Sequence, residues 1–293
     1  MKILVTGSES FVGKELIKQC KQKNIEIIGI DMISKENLDY EYHQVDITSP
    51  NIINYIPDNV DVIVHLAALS KDPDCKGKAY ECFENNVMGT LNLIKSSSNK
   101  KIKQFIFASS EWVYDKFENN EIKNEDHIIN SHNLSSEYAL SKLTSEINLH
   151  QQFLQDNSNV TILRFGIIYG PRKFNWSAVE SIASQVKNND VIKVESLNNG
   201  RRFIHISDIA SGIINSFNLQ GFNIINLTGN KLITIKDIIE ISEKIFKKVV
   251  TIHEKNPSQI TIRNPSNEKA KNLIKWNPEI NLEDGIKNIQ SFL

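Results

Sequence analysis

Ile3-Leu4-Val5-Thr6-Gly7-Ser8-Glu9-Ser10-Phe11-Val12-Gly13 is an apolar run, a glycine-bounded turn and the start of an amphipathic stretch. The apolar run reads as a buried strand, and Val12, Leu16, Ile17 and Cys20 then recur at helical spacing over residues 11–23. Gly7 permits a tight turn and Gly13 a close approach of helix to strand. The free N–H groups at a helix start placed this way face an anion such as a pyrophosphate. The spacing is that of a G-x-x-G-x-x-G loop with Ser10 at the middle glycine. A serine there crowds the backbone approach but offers a hydroxyl to a phosphate oxygen. A second apolar run, residues 25–30, ends in Asp31, 18 residues after Gly13. A carboxylate at that point accepts hydrogen bonds from a ribose diol and repels a 2′-phosphate, which selects NAD over NADP.

Outward from this turn the pattern repeats. Residues 42–45 form a weaker strand, 60–66 and 104–109 two further strands, and 160–165 a sixth. Helical spacing runs over residues 84–97 and, with a serine cap, over 135–155. Such alternation predicts an α/β Rossmann-type doubly wound parallel sheet whose ligands sit at the carboxyl ends of the strands. After Tyr169-Gly170-Pro171 the segments shorten and mix. Residues 1–165 are therefore expected to form an NAD-binding domain. Residues 166–293 are expected to form a smaller mixed α/β substrate lobe, with some later segments returning to the first domain.

The 293 residues are 40% hydrophobic and 24% charged, with a formal net charge of -1. That is an ordinary globular composition with no field to recruit nucleic acid or an anionic membrane. No run of 18 apolar residues predicts a membrane span, and the opening residues do not read as a signal peptide. Cys20, Cys75 and Cys82 are odd in number and unevenly spaced. They predict neither a disulfide framework nor a zinc site, and point to a reducing cytoplasm. The histidines likewise show no metal-ligand spacing. The five arginines all fall in the C-terminal half, which suits either an anion-binding lobe or simple packing.

Tyr138 and Lys142 lie four apart in a helical stretch and so share a face. A phenol is a poor base at neutral pH. A neighbouring ammonium is expected to stabilise the phenolate and fit it for acid–base work, while Lys142 also reaches a nicotinamide ribose. Ser110, at the end of the fifth strand, falls at the same sheet edge as the phosphate loop. Its hydroxyl can hold a sugar oxygen whose proton Tyr138 moves. Glu111 follows directly, either as a general acid or as a solvated carboxylate. Trp112 either packs or stacks on a sugar or base.

Together these residues resemble the extended short-chain dehydrogenase/reductase family, in its NAD-dependent epimerase/dehydratase branch. The likeness runs through Asp46-Ile47, His65-Leu66-Ala67-Ala68, Asn86 to Thr90, Ser109-Ser110, Tyr138 to Lys142, Leu163-Arg164, Tyr169 to Arg172 and Arg202 to His205. The resemblance implies a cofactor site of Gly7, Ser10, Phe11, Val12, Gly13, Asp31, Asp46, Ile47, Leu66, Ala67, Ala68 and Lys142. It implies a catalytic set of Tyr138, Lys142 and Ser110, with Glu111 beside them. Ser110, Trp112, Arg202 and Arg263 would meet the substrate, the two arginines taking its diphosphate, and Asn86 would buttress the sheet. It also implies a cytoplasmic homodimer built on residues 84–97 and 135–155. Ile167 stands where relatives often carry an asparagine. Only one acid follows Ser110, where dehydratases carry two.

The expected activity is transient oxidation of a hydroxyl on a nucleotide sugar, as an epimerase or dehydratase, with 4-epimerisation favoured. A keto-sugar or small-carbonyl reductase and a non-catalytic NAD-binding module are the rival classes.

Overall fold

The computed structural model describes residues 1–118, 121–174 and 176–293. Six strands, β1 (Lys2–Thr6), β2 (Glu26–Asp31), β3 (Glu41–Gln44), β4 (Val62–His65), β5 (Gln104–Ser110) and β6 (Val160–Phe165), join strand Phe222–Leu227 in one seven-stranded sheet. Its order is Phe222–Leu227, β6, β5, β4, β1, β2, β3. The registered pairs β1–β2, β1–β4, β2–β3 and β4–β5 are all parallel. This is the doubly wound Rossmann-type sheet that the strand–helix alternation predicts. The strand order reverses beside β1, so the carboxyl ends of β1 and β4 open the crevice where such folds bind ligands. β1, β4, β5 and β6 carry almost no exposed residue, as expected of strands covered on both faces.

Helices follow where the spacing calls for them. Helix α1 (Phe11–Gln22) buries Gly13, Leu16, Ile17 and Cys20. The segment after β4, which reads as a loop in the sequence, contains two short helices, α2 (Asp72–Cys75) and α3 (Ala79–Phe83). Four or five residues are too few to display a period, which is why sequence reading misses them. Residues 84–97 are a single π-helical turn, Glu84–Met88, running into helix α4 (Gly89–Ser97). Helix α5 (Glu137–Asp156) is capped by Ser136, whose side chain accepts the Ala139 N–H.

Contacts divide the chain into two compact units. The first comprises Met1–Asp115, Ile128–Arg164 and Ala210–Ile225; the second comprises Lys116–His127, Phe165–Ile209 and Asn226–Leu293. The first packs its core around Leu4, Ile28, Ile63, Phe107, Leu149 and Ile162. The second packs helices Ala178–Asn188, Ile235–Phe246 and Leu282–Ile289 around Val179, Ile182, Ile238 and Ile286. Ile167 belongs to this second core, so the aliphatic residue in place of the usual asparagine has a packing role. The second unit also holds a three-stranded sheet ordered Ile233–Thr234, Gly200–Arg201, Ile262–Arg263. Among the described residues no helix is long and apolar enough to cross a membrane.

Candidate active site

At the end of β1 the chain turns through Gly7 at φ +69. A Cβ on Gly7 would sit 2.7 Å from the backbone nitrogen of Ala67, so the close approach of this loop to the β4 end requires glycine. A Cβ on Gly13 would strike the Gly7 and Ser8 carbonyls. Ser10 is the N-cap of α1, and its Oγ accepts the Gly13 N–H at 3.0 Å. The hydroxyl that the sequence offers to a phosphate thus already uses a lone pair inside the turn, keeping its proton to donate. Phe11 and Val12 form the first helical turn and are half-buried. The bare glycine cradle and the N-terminus of a 12-residue helix fit a dinucleotide phosphate.

Asp31 closes β2, nine-tenths buried. Its carboxylate accepts the Glu9 N–H at 2.9 Å and the Ile33 N–H at 3.2 Å. Glu9 in turn accepts the Tyr40 hydroxyl at 2.9 Å. The carboxylate is therefore oriented by backbone before any ligand arrives. Asp46 is exposed and accepts from the Thr48 N–H and hydroxyl at 2.8 Å each. Ile47 and Leu66 are buried, Ala67 and Ala68 half-buried.

His65 is buried between the Thr6 and Thr90 hydroxyls, at 2.7 and 3.0 Å. Thr90 gives its own proton to the Asn86 carbonyl at 2.6 Å. Nε2 of His65 must therefore donate, leaving Nδ1 to accept from Thr6. Burial pushes this imidazole down to about 3, helped by the charge of Lys142. It is a packed neutral group. Asn86 does not buttress the sheet by a bond to a strand. Its amide pairs with both backbone groups of Leu69, at 2.8 and 3.1 Å, and with Ser141 Oγ at 3.0 Å. It ties the segment after β4 to α5.

Tyr138, Lys142 and Ser110 lie together in the first unit. Ser110 ends β5 and caps the turn Glu111–Val113 by accepting the Trp112 N–H at 3.3 Å. Its hydroxyl neighbours the Tyr138 phenol and favours the phenolate. Lys142, one turn further along α5, donates to the Ala108 carbonyl at 2.8 Å and stands 4.8 Å over the Phe107 ring. Burial drives the lysine down to about 7 against the opposing charge of Glu146. Burial also drives the Tyr138 phenol up to about 12, against the opposing influence of the Ser110 hydroxyl. The lysine-induced lowering of the phenol expected from the spacing is not what this structure contains. The ammonium is spent on a strand carbonyl, and desolvation of the ring dominates. Glu111 is fully buried beside Ser110, and Trp112 is half-buried against Tyr138.

Behind these residues lies a network that sequence reading passes over. Glu146, four residues after Lys142, grips Arg164 through Nε at 3.0 and 3.3 Å and through Nη2 at 2.6 Å. It also accepts the Ser109 hydroxyl. Arg164 stacks 4.8 Å from the Tyr114 ring. A second surprise is that Cys75 and Cys82 are paired as a disulfide, with Cα atoms 5.1 Å apart. The reading of the three cysteines as making no disulfide framework is corrected to one disulfide and one free thiol, Cys20. The seven-residue spacing spans two short helices, and their fold rather than the cysteine count brings the sulfurs together.

In the second unit, strand pairing sets Arg263 opposite Arg201, next to Arg202. Arg202 donates to Asn264 Oδ1 at 2.5 Å and to the Gly229 and Asn230 carbonyls at 3.4 Å. Arg263 lies 5.9 Å from the Phe117 ring. The structure thus brings Arg202 and Arg263 to one edge of one small sheet.

Residues 3–226 match the model of the NAD dependent epimerase/dehydratase family. UDP-glucuronate 4-epimerase of Thermodesulfobacterium geofontis is 25% identical over 97% of this chain and 93% of its own. dTDP-D-glucose 4,6-dehydratase of Dictyostelium discoideum is 27% identical over 72% of this chain and 54% of its own. UDP-glucuronic acid 4-epimerase from Bacillus cereus, solved with UDP-glucuronic acid and NAD, superposes with a TM-score of 0.87 at 24% identity. That match covers 100% of this chain and 98% of the other.

Proposed function

The chain belongs to the NAD-dependent epimerase/dehydratase family, and we propose that within it the chain is a 4-epimerase of a nucleotide sugar, with a UDP-sugar as substrate. The observation that carries this reading is the placing of Ser110, at the carboxyl end of β5, beside the buried Tyr138, with Lys142 one turn further along α5. The names of the relatives supply the nucleotide and the position on the sugar.

NAD, when bound, would supply reversible hydride acceptance at the reacting sugar carbon. The chain's own residues do the rest. The glycine turn and the α1 N-terminus hold the pyrophosphate, Asp31 the adenosine ribose, and Asp46 with Ile47 the adenine. Ser110 fixes the reacting oxygen. Tyr138 takes its proton during oxidation and restores it during reduction. Lys142, brought down to about 7 by burial and held on the Ala108 carbonyl, is placed to hold the nicotinamide ribose. Arg202 and Arg263 hold the diphosphate. Glu111, fully buried beside Ser110, supports a second reading as a dehydratase that uses it as general acid.

A homodimer is part of the proposal. Leu140, Ile147 and Leu154, seven residues apart on α5, are 40%, 54% and 58% exposed, and Tyr80 and Met88 add to the apolar surface. Such a stripe on a soluble helix suits a partner helix. Sedimentation of Ile147→Glu should show a monomer where the parent is a dimer; an unchanged species rejects this face.

The deciding experiment incubates the NAD-loaded protein with UDP-hexoses and UDP-uronic acids and follows products by NMR and mass. Inversion at C4 with unchanged mass is expected, and Tyr138→Phe should lower the rate by about a hundredfold or more. Loss of water would transfer the assignment to the dehydratase reading. A Tyr138→Phe variant of undiminished rate would reject the mechanism.

A further inference from the structure

Cys75 ends α2 and Cys82 lies within α3, and neither side chain has any exposed surface. Their separation of 5.1 Å between Cα atoms lies within the span a disulfide bridges. The pair packs directly on Tyr138, with Leu69 and Trp112 around it. It also reaches the same tyrosine by a second route. Cys82 Sγ is 3.6 Å from Ser141 Oγ, and the Ser141 hydroxyl donates to the Tyr138 carbonyl at 2.8 Å. The connection between the two helices, Lys76 to Lys78, is exposed, with Gly77 at φ +70 and open space around its α-carbon. α2 spans only four residues and has no side-chain cap on its first turn. A segment of that kind opens locally at small cost, giving reagents a path to buried sulfurs.

We propose that Cys75 and Cys82 are a reversible thiol–disulfide modification site whose state sets how firmly the wall of Tyr138 is held, with small-molecule disulfides as oxidant and thiols as reductant. The functional half of this rests on reading Tyr138 as the acid–base group. Starting from the dithiol, one cysteine thiolate attacks the oxidant disulfide and releases one thiolate, leaving a mixed disulfide. The second cysteine thiolate attacks the protein sulfur of that mixed disulfide and releases the other. One external disulfide is reduced to two thiols as two cysteines are oxidised to one disulfide, and the two cysteine protons pass to the leaving thiolates. Two thiols cannot approach as closely as bonded sulfurs, so reduction separates α2 from α3 and loosens the packing on Tyr138 and Trp112. Cys20 is an internal control. It lies on the buried face of α1, and burial pushes its thiol up to about 12, so almost no thiolate is available to exchange.

The test equilibrates the purified NAD-loaded protein with glutathione disulfide or with dithiothreitol, then denatures and alkylates it for mass mapping. Turnover and hydrogen exchange of residues 69–83 and 136–142 are read on the same samples. Oxidation should protect Cys75 and Cys82 from alkylation and leave Cys20 modified, and dithiothreitol should reverse it. The oxidised and reduced forms should differ in kcat by about tenfold, with slower exchange in both segments when oxidised. In Cys75→Ala/Cys82→Ala both differences should vanish. Three alkylated cysteines after oxidation would overturn the proposal. So would a disulfide that forms without altering exchange at residues 136–142. If exchange follows the redox state while every form is silent on nucleotide sugars, the substrate reading fails and the modification site stands.

Discussion

Behind Tyr138 the charged side chains Glu146 and Arg164 are buried and paired with each other, whereas Arg202 is half-buried and held largely by neutral oxygens. Glu146 and Arg164 are 3% exposed each and share three hydrogen bonds. Arg202 rests on an asparagine side chain and two peptide carbonyls. Those acceptors orient a guanidinium without neutralising it. A buried ion pair resists rearrangement and suits a place where protons must move between fixed atoms. A cation hydrogen-bonded only to neutral oxygens, with the charge of Glu268 acting on it through space, suits a place where an anion must arrive and leave.

The largest expected effect attacks the first arrangement. Glu146→Ala leaves Arg164 buried with its charge unbalanced and should cost about 3–5 kcal/mol, read by urea unfolding. It also removes the negative charge that opposes the burial-driven lowering of Lys142, so any folded protein should lose the lysine proton at still lower pH. A loss below about 1 kcal/mol would show that the pair is solvated and that the contrast with Arg202 is false. Arg202→Ala is the counterpart. It should raise the KM for a UDP-sugar about tenfold and change stability by less than about 1 kcal/mol. Equal losses of stability in the two variants would dissolve the distinction between the regions.

The same contrast explains what could be read from sequence. The glycine turn, the carboxylate after β2 and the Tyr138–Lys142 pair are local patterns, legible because a strand–turn–helix forces those spacings. Arg202 and Arg263 are visible by their scarcity and family likeness, but their meeting depends on the pairing of Arg201 with Arg263, distant in sequence, that no local spacing announces. Glu146 sits in plain view one turn after Lys142. A carboxylate on a 20-residue helix reads as a solvated face, and only the position of Arg164 on β6 shows otherwise. The cysteine pair was hidden for a related reason. It depends on two short helices whose existence is itself a tertiary matter. The rise of the Tyr138 phenol, against the expected fall, comes from burial, which spacing does not report.

A smaller effect separates buried neutral groups from buried charged ones within the first unit. His65 is held neutral, down at about 3, while an unfolded imidazole titrates near 6.5. The unfolded chain therefore binds the extra proton first. Stability is fully present above about 6.5 and is lost as pH falls toward 3, at up to about 1.4 kcal/mol per pH unit. His65→Gln can keep one of the two threonine bonds and should lose this part of the acid slope. Unfolding midpoints at pH 7 and pH 5 should fall further for the parent than for the variant. Parallel slopes would mean that His65 is hydrated in solution.

The smallest effect concerns Ser10, where the loop departs from an all-glycine pattern. Its Oγ caps α1 through the Gly13 N–H, and losing such a cap costs about 1 kcal/mol with alanine but only a few tenths with glycine. If the hydroxyl also donates to the cofactor phosphate, both substitutions remove that bond and both weaken NAD. If it serves only as a cap, Ser10→Gly relieves the crowding of the turn and should bind NAD at least as tightly as the parent, while Ser10→Ala loses stability alone. Calorimetric NAD affinities of the two variants, set beside their melting temperatures, separate these roles. Parallel loss of NAD in both would place the serine among the phosphate ligands. Retained affinity in Ser10→Gly would make it a structural substitute for a glycine, one that stabilises the helix whose N-terminus faces the phosphate.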